Sequence, residues 1–215
     1  MTVREYGQFC GLARAMEMVG ERWTLLIVRN LLSGPQRYTD LRKGLSAIPT
    51  NILSARLKQL EEAGLVVRRA LPHPERAVVY ELTGYGRELE PALVALGRWG
   101  ARTMTTPRPG EAITPESVAM AFRTTFRPEA ARGTTVGYEV RMGDFTLRLQ
   151  VTDGALTVGV GPHPAPDLVV ERRGDQGVHA LMTGAKTPAQ ALADGSVGVE
   201  GDPALLHRFV EMFRF

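Results

Sequence analysis

The stretch that most constrains this chain runs from Tyr38 to Gly64, YTDLRKGLSAIPTNILSARLKQLEEAG. It reads as two short helices joined by a tight turn. Leu41 and Leu45 give the first an apolar edge. Pro49-Thr50 opens the second, where Leu53, Leu57 and Leu60 fall at i, i+4 and i+7 and share one helical stripe. The face away from that stripe carries Thr50, Asn51, Ser54, Arg56 and Lys58, with no acid before Glu61-Glu62. Gly64 stands where a helix stops in the left-handed conformation. An ordinary amphipathic helix with a solvated face would show the same pattern, so the residues after Gly64 decide between them. Leu65–Arg69 runs from apolar to basic as a strand, Leu71-Pro72-His73-Pro74-Glu75-Arg76 makes a Pro-rich tip, and Ala77–Leu82 is a second strand.

Helix, turn, helix and a basic-tipped hairpin is the order of a winged helix-turn-helix. In that arrangement the second helix enters the major groove of double-stranded DNA and the hairpin reaches the neighbouring backbone or minor groove. Thr50, Asn51, Ser54 and Arg56 are expected to approach base edges and Lys58 to border the phosphates. Tyr38, Thr39, Arg42 and Lys43 on the first helix, with His73 and Arg76 at the wing, complete the expected contacts. Charge placement agrees: residues 1–105 hold 15 Lys/Arg against 10 Asp/Glu, and residues 106–215 hold 11 against 13. Only the first half suits a polyanion.

Phe9–Val19 (FCGLARAMEMV) is expected to be a helix with Leu12, Ala15, Met16 and Val19 on an apolar face. Trp23–Leu32 (WTLLIVRNLL) is more thoroughly apolar and should be the central buried helix, ended by Ser33-Gly34-Pro35. Val79-Tyr80-Glu81-Leu82-Thr83 and Gly86 close the hairpin, and Arg87–Met104 should form a long helix bearing Leu89, Leu93, Leu96 and Trp99. The Cys opening the first helix, the G-x-R-W-T-L-L-I, G-P-x-R-Y-x-D-L-R and L-x-x-L-E-x-x-G-L elements, and the V-x-Y-x-L-T-x-x-G ending occur in this order. Together they resemble the HxlR-type family of bacterial transcription regulators, relatives of the MarR-type winged helices. The resemblance covers roughly the first hundred residues. It implies a homodimer built through the first and last helices of this domain, binding a double-stranded DNA operator. Some members are regulated through oxidation or alkylation of the cysteine at the place of Cys10, which makes Cys10 a candidate redox or electrophile sensor. Inert packing of a buried thiol is the alternative.

Thr105–Gly110 (TTPRPG) reads as a linker. Beyond it, residues 111–215 read as an α+β domain: a helix at Ser117–Phe126, strands at Thr135–Met142, Phe145–Val151, Ala155–Val160, Leu168–Glu171 and Ser196–Glu200, and helices at Val178–Thr183, Pro188–Asp194 and Pro203–Phe213. Phe145, Leu147, Leu149 and Val151 alternate with Thr146, Arg148 and Gln150, the pattern of a half-buried strand. The series PDLVVERRGDQGVHALMTGAKTPAQALADGSVGVEGDPALLHRFVEMF resembles the sterol-carrier-protein fold. That resemblance implies helices over one face of a sheet and room for an apolar tunnel. Phe122, Phe126, Leu147, Leu149, Leu181, Met182, Leu192, Leu206 and Phe209 are the candidate lining; a packed core has the same composition.

No catalytic constellation, phosphate loop or G-x-S-x-G occurs. The single Cys and four scattered His give no metal-ligand spacing, so neither enzyme activity, cofactor nor metal is expected. No stretch reaches the roughly 18 apolar residues of a membrane span and no signal-peptide core opens the chain, which suggests a cytoplasmic protein without membrane insertion. The expectation is an α+β chain. Residues 1–104 form a winged helix-turn-helix for DNA binding and dimerisation, 105–110 a linker, and 111–215 a sterol-carrier-like domain for an apolar small-molecule effector. The alternative is a lipid or apolar-metabolite carrier whose winged helix serves as a dimeric interaction module.

Overall fold

The computed structural model describes residues 5–72, 76–104, 108–174 and 177–214. The chain divides into two compact units, Met1–Leu93 and Val94–Phe215. That division falls ahead of the expected linker, three residues of which (105–107) lie outside the described residues.

The first unit runs α1 (Gly11–Val19), α2 (Thr24–Leu31), β1 (Gln36–Arg37), α3 (Tyr38–Gly44), α4 (Thr50–Glu62), β2 (Val66–Ala70), β3 (Val78–Leu82) and α5 (Gly84–Arg87). Ile27, Val28, Leu31, Leu41, Leu53, Leu57 and Leu60 are almost completely buried, so the leucine stripe of α4 points inward as its spacing requires. Gly64 ends α4 as expected: at φ +70° it lets its own N–H reach Glu61 O while the Leu65 N–H reaches Leu60 O. This reverse pair of bonds is the glycine-centred helix stop, and Leu60 and Leu65 are buried together beside it. The hairpin β2–β3 is joined by β1, giving an antiparallel sheet of order β1-β3-β2. The two-residue β1 is too short to leave a periodic signal.

The helix expected over Arg87–Met104 is shorter, and its first residue belongs to a separate turn, α5. Thr83 Oγ1 accepts from the Gly86 N–H at 3.0 Å and donates to Gly64 O at 2.7 Å, tying α5 to the base of the hairpin. The approach is so close that a Cβ on Gly86 would stand 2.1 Å from Leu65 O. The longer helix, α6 (Glu90–Ala101), starts afresh. Pro91 explains why: inside a continuous helix from Arg87 it would break a hydrogen bond, but in the first turn it lacks only an amide with no helical partner.

The second unit continues with α7 (Pro115–Thr125), a 3₁₀ turn (Pro128–Ala131), β4 (Thr135–Arg141), β5 (Thr146–Thr152), β6 (Ala155–Val160), β7 (Leu168–Arg172), α8 (Gly177–Thr183), α9 (Pro188–Ala193), β8 (Val197–Gly201) and α10 (Ala204–Met212). Thr114-Pro115 and Thr187-Pro188 open α7 and α9 with capping boxes closed by Ser117 and Gln190. The sheet order is β6-β5-β4-β7-β8, antiparallel except for the central β4–β7 pair. Phe122 of α7, Leu181 of α8, Ala191 of α9 and Phe209 of α10 all join one core with Tyr138, Leu147, Leu149 and Val170 of the sheet. The helices therefore cover one face. The other is polar, and the Gly161–Asp167 connection crosses it from β6 to β7. Because β6 and β7 run parallel, these seven residues must cover about 14 Å across three strand spacings and about 13 Å back along the strand. That diagonal takes most of their full reach of about 25 Å, so this path lies close against the sheet. His163 rests there with its N–H on Glu139 Oε2 (2.9 Å), over Gly137, where a Cβ would meet the imidazole at 2.6 Å.

Candidate nucleic-acid interface

Two helices and a hairpin place the expected contacts. The Tyr38 hydroxyl, from the first residue of α3, donates to Thr50 O (3.0 Å) and accepts from Ser54 Oγ (3.3 Å). It thereby fixes the first turn of α4 against α3. Pro49 gives α4 no side-chain cap, so the opening amides and the positive dipole end of this 13-residue helix remain available to an anion. Thr50, Asn51, Ser54 and Lys58 are exposed, as are Thr39, Arg42 and Lys43 of α3. On α4 these positions fall at i, i+1, i+4 and i+8, one continuous polar face.

Arg56 does not belong to that face. Its side chain is 10% exposed, and its guanidinium pairs with Glu21 at 2.7 Å and donates to Gln59 Oε1 and to Arg22 O. The physical reason is helical phase: Arg56 lies three residues after Leu53 and one before Leu57, at the margin of the buried stripe. A guanidinium there must find partners, and it finds them in Gln59 one turn on in α4 and in Glu21 and Arg22 between α1 and α2. In this structure Arg56 ties α4 to the turn ahead of α2 rather than standing on the exposed face expected of it.

The basic residues differ in availability. Arg37, Arg42, Lys43, Arg68 and Arg76 form no ion pair among the described residues. Lys58 has only Glu62 at 3.7 Å, both well exposed, a pair of little strength. In the wing, Arg69 and Arg87 share Glu81 at 3.0 and 3.4 Å, while Arg68 lies over the Tyr80 ring at 5.8 Å. Arg76 is exposed at φ +36°, and His73 lies outside the described residues. Arg37 and Arg68 were not among the expected contacts. The available signals were the position of Arg37 directly ahead of α3 and of Arg68 beside Arg69 on the strand leading to the tip.

Cys10 stands at the N-cap of α1 and is exposed. Its thiol makes no capping hydrogen bond, yet the N–H groups of Ala13 and Leu12 pull its pKa below the ordinary value. The expected ligand lining lies together in the second unit. Phe122, Leu147, Leu149, Leu181, Leu206 and Phe209 are fully buried, Phe126 and Met182 nearly so, and Leu192 packs half-buried against them. Phe122, Tyr138 and Phe213 each contact the Phe209 ring at centroid distances of 5.9, 5.2 and 5.0 Å. Among the described residues no three His, Cys, Asp or Glu side chains gather as a metal site, and no helix is long and apolar enough to cross a membrane.

The profile of the HxlR-like helix-turn-helix family matches residues 18–107. An uncharacterized HTH-type transcriptional regulator of Synechocystis sp., sll1512, is 33% identical over 97 residues, 45% of this chain and 72% of that protein. The chain belongs to the HxlR-like helix-turn-helix family. Another such regulator, YvaP of Bacillus subtilis, is 36% identical over 40% of this chain and 80% of its own length. Mb3122 of Mycobacterium bovis, likewise an HTH-type transcriptional regulator, is 43% identical over 46% of this chain and 60% of its own length. The family match takes in α2 through α6 and so the whole of the helix-turn-helix and wing.

Proposed function

We propose that this protein is a sequence-specific, dimeric DNA-binding transcriptional regulator whose α4 reads the major groove. The observation that carries this reading is the open face of α4. Thr50, Asn51, Ser54 and Lys58 are exposed with no carboxylate among them, on a helix whose opposite side is locked into the core. Base edges are read by such hydrogen-bonding side chains, and Arg37, Arg42, Lys43 and Arg68, which form no ion pair among the described residues, supply phosphate contacts that position the helix. Homodimerisation is supported by the apolar side chains left open at α1, where Phe9, Leu12 and Met16 are exposed. Selection from random duplexes, followed by footprinting of the enriched sequence, tests the reading. A two-fold site with half-sites roughly 34–36 Å apart is expected. Failure to enrich any sequence defeats it.

The second unit is the proposed seat of an apolar effector, held among Phe122, Phe126, Leu147, Leu149, Leu181, Met182, Leu192, Leu206 and Phe209. A cluster in ring contact admits a ligand only by opening. Uptake of a fluorescent fatty acid by the full chain, and its loss in Leu149→Trp, is the expected outcome. An effector that favours one arrangement of the DNA-bound dimer would change operator affinity about 5–150-fold.

A further inference from the structure

Away from that packed core, the second unit holds an open cavity of about 550 Å³ whose wall carries Arg98, Arg102, Arg127 and Arg214 against a single acid, Glu129. Backbone and side-chain bonds build this wall. Arg98 of α6 donates from Nε to Thr124 O (2.7 Å) and from Nη2 to Phe126 O (3.1 Å), anchoring it on the carbonyls that end α7. Opposite, the end of the chain is clipped to the segment after α7: Arg127 N–H to Met212 O (2.8 Å), Arg214 N–H to Thr125 O (3.1 Å), with Phe126 and Phe213 bridged between them. This clip sends Arg127 and Arg214 into one cavity from two adjacent strands of backbone. Gly184, at φ +74°, leaves the Arg214 guanidinium its space, since a Cβ there would come within 2.9 Å of Nη2.

The charges are unequally met. Arg127 has only a 3.4 Å contact with an exposed Glu129, and Arg102 and Arg214 form no ion pair among the described residues. Four guanidiniums gathered about a concavity repel one another and raise the local concentration of anions. Their planar forks match carboxylate and phosphate oxygens. Phe126, Pro128 and Ala101 supply apolar wall beside them, and the volume is that of a small-molecule site. We infer that this cavity binds a small organic anion, its carboxylate or phosphate head on Arg102 and Arg214 and its compact apolar body over Phe126 and Pro128. The site shares only Phe126 with the apolar effector cluster and does not depend on the DNA-binding reading.

Calorimetric titration of the full chain with phenyl phosphate, benzoate, inorganic phosphate and phenol tests it. Saturable binding of phenyl phosphate or benzoate is expected, with whichever binds better identifying the head; inorganic phosphate should be weaker and phenol silent. Arg102→Glu and Arg214→Glu should each weaken the better anion by about tenfold or more, while melting like the wild-type chain without ligand. Arg173→Glu, at an exposed arginine paired with Glu171 elsewhere on the unit, should leave it unchanged. Three results overturn the proposal: no saturable binding of either organic anion at millimolar concentration, equal weakening by Arg173→Glu, or phenol binding as tightly as the anions.

Discussion

Phe209 in α10 is fully buried, whereas Phe9, just ahead of α1, is fully exposed. The contrast extends to their units. Tyr6, Phe9, Leu12, Met16, Leu26 and Tyr85 stand open in the first unit, although its leucine core is complete. From Pro115 onward no large apolar side chain among the described residues is exposed. The first unit folds and still presents apolar surface; in the second, the open apolar side chains Leu96, Trp99, Met104 and Ile113 all precede Pro115, and the described α+β part beyond them exposes no large one. Exposed apolar patches on a folded unit mark an interface, and here the proposed occupant is a second copy.

Substitutions can separate the two cases. The largest effect is expected for Phe209→Ala, which removes a ring in contact with Phe122, Tyr138 and Phe213. It should cost about 3–5 kcal/mol in urea unfolding, while Phe9→Ala should leave the midpoint of a dilute sample unchanged. Comparable losses at both positions would erase the contrast. Next comes Leu12→Asp with Met16→Asp. Sedimentation should show a monomer with an unaltered circular dichroism spectrum; a persistent dimer would move the interface away from α1.

Arg56→Ala sharpens the comparison within α4. Losing a buried guanidinium with three partners should destabilise the first unit by about 1–3 kcal/mol, and the preferred DNA sequence should survive. A changed preference without a change in stability would return Arg56 to the reading face. The smallest effect belongs to Asp194, whose carboxyl the Lys186 ammonium, and then Ser196, depress from 3.8 to about 2. A depressed carboxyl contributes stability above its unfolded value and loses it as pH falls through the folded one. The melting temperatures of wild type and Asp194→Asn should therefore differ slightly at neutral pH and converge between about pH 4 and pH 2. A difference that persists below that window would exclude the ion pair as its cause.

Most elements were legible because their signals are local. The leucine spacing of α4, Gly64, and the alternation of β5 each dictate one structure without reference to distant residues. What escaped depends on neighbours. β1 exists only because β3 pairs with it, and α7 begins at Pro115 because Thr114 caps it, two residues before the apolar pattern becomes visible. The break before α6 was written in Pro91 but masked by the leucines around it. Arg56 shows the limit most clearly. Its residue type suggested the reading face, while its burial is set by helical phase together with Glu21, a partner 35 residues away. Arg37 and Arg68 lacked a distinguishing pattern, since an exposed arginine looks the same in sequence whether or not an acid lies beside it.

The central claim is that the exposed face of α4 reads bases, and Asn51→Ala tests it most directly. Asn51 is exposed in the first turn of α4, so its removal should spare folding. Selection from random duplexes by the variant and the wild type, with binding isotherms on the wild-type site, should show relaxed preference at one position of each half-site. The expected cost is about 1–3 kcal/mol on that site, with little change in non-specific affinity. Identical preference and identical affinity in both proteins would contradict the account.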